Sequence, residues 1–221
     1  MALIKHKSAT VLDVRGNSAK RDRRVVRTSR QIDAAFVELL GRRAYGNIRV
    51  SDITKKAGVG RATFYAHYSS KDDLLSSQFR RIVAPMLVAQ RHDLCPLDAT
   101  AFFAHVTTSP QIYKALMGSE AGRAPRILRE CIEQRVRQAL PERESWPGAD
   151  SFDMQRVIPT RFVATSLLAV IECWVESKAC EPPQSLQAIF SKLVGGGLAT
   201  LGVRHPDKSP DHLGGHGPLA D

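Results

Sequence analysis

The run KKAGVGRATFYAHYSSKDDLL, Lys55 to Leu75, admits few folds. A Gly-Val-Gly break separates two short helical stretches, about Val50 to Ala57 and Arg61 to Tyr68. Glycine just past a last turn is a common way to end a helix. Upstream, Ile32, Ala35, Phe36, Leu39 and Leu40 fall on one stripe of a helix over about Thr28 to Gly41, which Thr28 or Ser29 can cap. Two short helices joined by a glycine-bearing turn and braced by a third match a helix-turn-helix. Its small core would hold Ile53, Ala57, Val59, Phe64 and Tyr68.

The rest of the chain also reads with helical period, and no alternating strand pattern stands out. Ser70 can cap a helix from Lys71 to about Ala89, kinked at Pro85. Further runs cover about Leu97–Val106, Pro110–Met117, Ala124–Leu140, Phe152–Ser177 and Pro183–Leu201. The expectation is an all-α protein of about nine helices: a basic disordered tail over 1–24, a three-helix DNA-binding domain over 25–72, a helical bundle for ligand binding and dimerisation over 73–203, and a disordered tail over 204–221, rich in Pro, Gly and His.

Charge is distributed unevenly. Residues 1–80 hold 17 Lys and Arg against 7 Asp and Glu, whereas residues 81–221 hold 15 of each. All the excess positive charge therefore lies in the first third, which points to a polyanion, nucleic acid before an anionic membrane surface. The longest apolar stretch, near Phe162 to Val175, is interrupted by Thr165, Ser166 and Glu172 and reads as too short and polar to span a bilayer. With no signal-peptide pattern at the N-terminus, the expected location is the cytoplasm. The four cysteines lack CxxC spacing and read as reduced thiols. We find no nucleophile elbow, phosphate-cradling loop or zinc triad, so neither an enzyme, a cofactor nor a metal site is expected.

The run SDITKKAGVGRATFYAHYSSKDDLL resembles the DNA-binding signature of TetR-family transcriptional regulators. The resemblance is carried by QIDAAFVELL (Gln31 to Leu40), Ile53, Ala57-Gly58-Val59, Thr63, Tyr65, His67, Ser70-Lys71 and Leu74. It extends more loosely to about Leu201. Three positions depart from the family pattern. Gly60 stands where Ser often caps the recognition helix, and Gly caps more weakly. Arg49 replaces a capping Ser or Thr, which would shift that cap to Ser51. Tyr68 replaces Phe and brings a hydroxyl that needs a partner.

Chemistry and resemblance together nominate Arg61, Ala62, Thr63, Tyr65, His67 and Lys71 as DNA-binding residues. Arg61, in the first turn of the recognition helix, can fork onto guanine O6 and N7, worth ~1–3 kcal/mol of discrimination, or hold a phosphate without reading sequence. Ala62 permits close approach. Thr63, Tyr65 and His67 can donate to phosphate oxygens, with a solvated surface histidine the alternative for His67. Lys71 begins a helix whose N-terminus also attracts phosphate. The basic cluster Lys20 to Arg24 is either a solvated run or an arm for a minor groove.

One recognition helix reads few base pairs, so specificity calls for a dimer on a two-fold site. Val163, Leu167, Ile171, Leu186, Phe190 and Leu193, on the last two helices, are the expected interface, as the resemblance also implies. The middle helices would enclose a small-molecule effector, with Met86, Phe103, His105, Tyr113 and Trp174 as lining, although plain core roles suit each of these. The function expected is a ligand-responsive repressor that binds a palindromic operator as a homodimer. The alternative is a nonspecific or architectural DNA-binding protein.

Overall fold

The computed structural model describes residues 10–90, 95–118, 122–139, 152–177 and 181–200. Among them are nine α-helices: α1 Thr10–Leu40, α2 Val50–Ala57, α3 Arg61–His67, α4 Lys71–Gln78, α5 Thr100–Thr108, α6 Pro110–Met117, α7 Arg123–Ala139, α8 Phe152–Ser177 and α9 Pro183–Thr200. Two short strands, β1 (Val88–Ala89) and β2 (Leu97–Asp98), pair antiparallel. The expected tail over 204–221 lies outside the described residues.

The chain divides into two compact units. The first is Met1–Gln78 with Gln111–Ala124, and the second is Phe79–Pro110 with Pro125–Asp221. This division differs from the boundary expected at residue 72. All of α4 belongs with the helix-turn-helix, and most of α6 joins it from further along the chain.

In the first unit, α1 begins at Thr10, so residues 10–24 include helix where a tail was expected. No proline interrupts 10–40, and Ala, Arg and Lys there favour helix. What is missing before Ile32 is an apolar stripe, and such a stripe reports packing rather than helicity. From Ile32 onward the stripe is buried: Ile32, Phe36 and Leu40 sit in a core with Tyr45, Ile48, Ile53, Phe64 and Leu74. Each such side chain contributes roughly 1.5–3 kcal/mol by leaving water. Tyr68, at the end of α3, answers the question its hydroxyl raised, donating at 2.8 Å to the buried carboxylate of Asp33 on α1. On the surface, Lys56 of α2 donates at 2.6 Å to Glu38 of α1, which lowers the Glu38 pKa.

In the second unit, the helix expected to run on from α4 to Ala89 changes character. A π-helical turn covers Phe79–Val83 and a 3-10 turn Ala84–Met86, where Pro85 has no N–H to continue the ladder. Strand β1 follows, so two of the segments expected to be helical form a ribbon instead. The helix expected from Leu97 begins at Thr100, after β2. The Gln187 side chain of α9 holds this corner, accepting from Ala99 N–H at 2.8 Å and donating to Leu97 C=O at 3.1 Å. Phe103 meets Phe190 edge to face, with centroids 6.3 Å apart. Glu133 of α7 is buried, within 3.6 Å of Arg129 and Arg137 and 3.1 Å from Arg161 of α8. Of the described cysteines, Cys95 and Cys131 are buried thiols and Cys173 an exposed one, none of them in a disulfide.

Five of the six residues expected at a dimer interface are core residues of this unit. Val163, Leu167, Ile171, Leu186 and Phe190 are all buried within one chain, so no partner could cover them. Only Leu193, 58% exposed, faces out. A helical stripe points one way, and α8 and α9 turn theirs toward each other and the core. The exposed large apolar side chains on these helices are instead Ile158, Phe162, Ile189 and Leu193. The Gly195–Gly197 run has a partial explanation here: a Cβ on Gly197 would lie 2.9 Å from the Phe162 ring, so glycine admits that ring.

The segment Val157–Ser177 of α8 is, by length and composition, apolar enough to cross a membrane, contrary to the expectation that it was too short. Its Val163, Ala164, Leu167, Leu168 and Ile171 are nonetheless packed inside this unit.

Replacing Tyr68 with Phe removes the donor to a buried carboxylate. The variant should lose about 1–3 kcal/mol of unfolding free energy in urea titrations, with little change in the far-ultraviolet spectrum of the folded state.

Candidate nucleic-acid interface

The recognition helix is set by what stops and starts on either side of it. Helix α2 ends at Gly58, whose φ of 66° is left-handed and whose N–H bonds back to Lys55 and Thr54 carbonyls. Val59 N–H also reaches Thr54 C=O at 3.1 Å, and the chain turns at once into α3. Gly60 caps α3 with extended backbone and no side-chain acceptor, its carbonyl receiving Phe64 N–H at 3.1 Å.

At the start of α2 the cap does not shift to Ser51, which lies inside the helix. Arg49 keeps the capping position by backbone, and the Asp52 carboxylate accepts its N–H at 2.8 Å. A guanidinium has no acceptor to offer, so the reciprocal half of a capping box is absent. Ser70 fills the role expected of it, accepting Asp73 N–H at 3.1 Å while the Asp73 side chain accepts Ser69 N–H at 2.9 Å.

With Phe64 and Tyr68 turned into the core, the opposite face of α3 is open. Arg61, Ala62, Thr63 and Tyr65 are exposed and His67 is half-buried. Tyr65 is 51% exposed, with its ring braced edge-on by Phe64 at 5.5 Å, which leaves its hydroxyl end outward. The five nominated residues of α3 thus share one short rod.

Lys71 is different. Its ammonium donates at 2.7 Å to both Tyr45 C=O and Ile48 C=O and lies 4.1 Å from the Tyr45 ring centroid. Burial holds its pKa below the usual lysine value, with Asp72 opposing the shift and Arg123 adding to it. Two of its three N–H donors therefore brace the connection between α1 and α2, and one is left for a phosphate. The adjacent Tyr45 hydroxyl donates to Asp72, and burial together with that bond raises the phenol's pKa well above the ordinary range. Sequence reasoning missed Tyr45, Asp33 and Asp72 because each acts through a partner 26 or more positions away.

The residues nominated for a ligand site do not share one unit. Tyr113 belongs to the first unit, and Met86, Phe103, His105 and Trp174 to the second. Phe103 is fully buried core. His105 is half-buried, and burial lowers its pKa, favouring the neutral ring. The Trp174 indole N–H is buried without an acceptor among the described residues. A groove along α1, lined by Arg23, Val26, Arg27, Arg30, Gln31 and Ala34, is a further concavity. Among the described residues no group of His, Cys, Asp or Glu is placed to hold a metal ion.

Comparison with known proteins agrees with this geometry. Residues 32–77 match the family described as bacterial regulatory proteins, tetR family. Over 67 residues the chain is 43% identical to an uncharacterized HTH-type transcriptional regulator, YxbF, of Bacillus subtilis (strain 168). That stretch is 30% of this chain and 18% of the relative. A TetR transcriptional regulator from Streptococcus agalactiae 2603V shares the fold over 80% of this chain and 98% of its own, at 22% identity and a TM-score of 0.56. The dihydroxyacetone kinase operon activator DhaS does so over 79% and 97%, at 17% identity and a TM-score of 0.51. Residues 32–77 thus match the tetR family of bacterial regulatory proteins in sequence, and the described chain shares the fold of TetR-family regulators.

Truncating Lys71 to Ala releases two backbone carbonyls from a charged donor. The expected cost is about 1–2 kcal/mol of stability by urea denaturation, and a variant as stable as its parent would show that water replaces the ammonium at both carbonyls.

Proposed function

We propose that the protein is a repressor that binds a two-fold symmetric operator as a homodimer and is released by a small-molecule effector. The observation that carries the reading is the outer face of α3, where Arg61, Ala62, Thr63 and Tyr65 are exposed above an anchored Phe64 and Tyr68. A helix held this way presents its first turn to base edges in a major groove while hydroxyls and cations hold phosphates. The concentration of positive charge in residues 1–80 supplies the sequence-independent part of the affinity. Chromosomal DNA as the partner places the protein's work in the cytoplasm.

A second copy would cover the outward apolar side chains of α8 and α9, namely Ile158, Phe162, Ile189 and Leu193. Dispersed singly such residues need no partner; on two neighbouring helices that pack together they form a strip suited to a two-fold contact. The effector would bind in the second unit, where the Trp174 N–H lacks an acceptor among the described residues and the half-buried His105 lies on α5. A mostly apolar ligand with one acceptor fits those groups. Release follows as a population shift: a ligand that prefers recognition helices set wider than ~34–36 Å apart disfavours the operator-bound arrangement.

Selection from randomised duplexes tests the reading directly. The protein should enrich a palindrome, and Arg61→Ala should relax preference at one base position per half-site, worth ~1–3 kcal/mol there; binding with no sequence preference would favour an architectural role instead. Leu193→Glu should convert a sedimenting dimer to monomers and weaken operator binding at least tenfold, whereas an unchanged sedimentation coefficient would remove the α8–α9 strip from the interface.

A further inference from the structure

We infer that Arg123 is a positioning residue for the DNA-binding helices, holding the cluster of Tyr45, Lys71 and Asp72 through its ion pair with Asp72. The inference rests on the reading of α3 as a recognition helix. Three parts of the first unit converge at this point: the connection between α1 and α2, the first turn of α4, and the segment ending in Ala124.

The contacts are specific to atoms. One oxygen of Asp72, Oδ1, accepts from the Tyr45 hydroxyl, and the other, Oδ2, accepts from Arg123 Nε. Next along the chain, Lys71 donates to the Tyr45 and Ile48 carbonyls and faces the Tyr45 ring. Ile48 immediately precedes Arg49, whose backbone caps α2. The position of α2, and with it the turn into α3, is therefore tied to where Asp72 holds Tyr45. Removing the Arg123 side chain leaves Tyr45 its acceptor and Lys71 its carbonyls, so the unit stays folded while the carboxylate loses the cation that orients it.

The exposure of the pair suits an adjustable contact. The Arg123 side chain is 70% exposed and that of Asp72 26%, and a pair this open changes an equilibrium by up to about fivefold. Arg123 is also the first residue of α7.

The test uses the full chain as wild type, Arg123→Gln, Arg123→Lys, Asp72→Asn and the Arg123→Gln/Asp72→Asn double variant. Hydrogen exchange is read at Asn47 and Ile48, whose amides donate to Ala44 and Tyr45 carbonyls, and operator affinity is titrated against salt. Arg123→Gln should speed exchange at both amides about two- to fivefold and weaken operator binding by a similar factor with the salt slope unchanged. Arg123→Lys should restore both, and in the Asp72→Asn background Arg123→Gln should cost nothing further. Unaltered exchange, an undiminished loss in that background, or a salt slope lowered by about one unit, the mark of a direct phosphate contact, would overturn the inference. Should the wild type bind no duplex while exchange responds as stated, the regulatory reading fails and the positioning role stands.

Discussion

The seat of α3 on α1 is the contact on which the DNA-facing surface depends. A seven-residue helix has too few internal hydrogen bonds to persist alone, so its orientation is whatever its two buried side chains allow. Phe64 fills the core and Tyr68 both fills it and bonds Asp33. Because Phe64 and Tyr68 lie one turn apart, they define a single inner line, and the remaining positions are pushed outward. Exposure of Arg61 and Tyr65 is a consequence of what is buried beneath them.

Cations in the first unit divide into two kinds. Arg61 is exposed and available to an anion, whereas Lys71 directs two of its three donors to backbone carbonyls and Lys56 is paired with Glu38. A positive total therefore overstates the charge free to meet phosphate. The connection between α1 and α2, with a 3-10 turn over Tyr45–Asn47, is braced by the Lys71 ammonium and the Asp72 carboxylate of α4.

The second unit draws a similar line through its apolar residues. Val163, Leu167, Ile171, Leu186 and Phe190 close its own core, while Ile158, Phe162, Ile189 and Leu193 remain outside. Both sets occur on the same two helices. Glycine at position 197 lets the Phe162 ring lie against α9.

Sequence alone determined the helical class, the helix-turn-helix, the exposure of Arg61, Ala62, Thr63 and Tyr65 on α3 and the cap at Ser70, because these depend on spacing within one or two turns and on glycine at Gly58. Helix ends with a packing stripe or a proline were legible to within a few residues. The extension of α1 to Thr10 was hidden, since the sequence before Ile32 carries no apolar period. The ribbon of β1 and β2 was hidden too, being only two residues a side. Tertiary structure alone decided which apolar face of α8 and α9 turns inward, that Lys71 also donates to the Tyr45 and Ile48 carbonyls, and that Asp33 and Asp72 receive Tyr68 and Tyr45. In each case the deciding interaction joins residues distant along the chain, and a local pattern states what a side chain can do without stating which partner reaches it first.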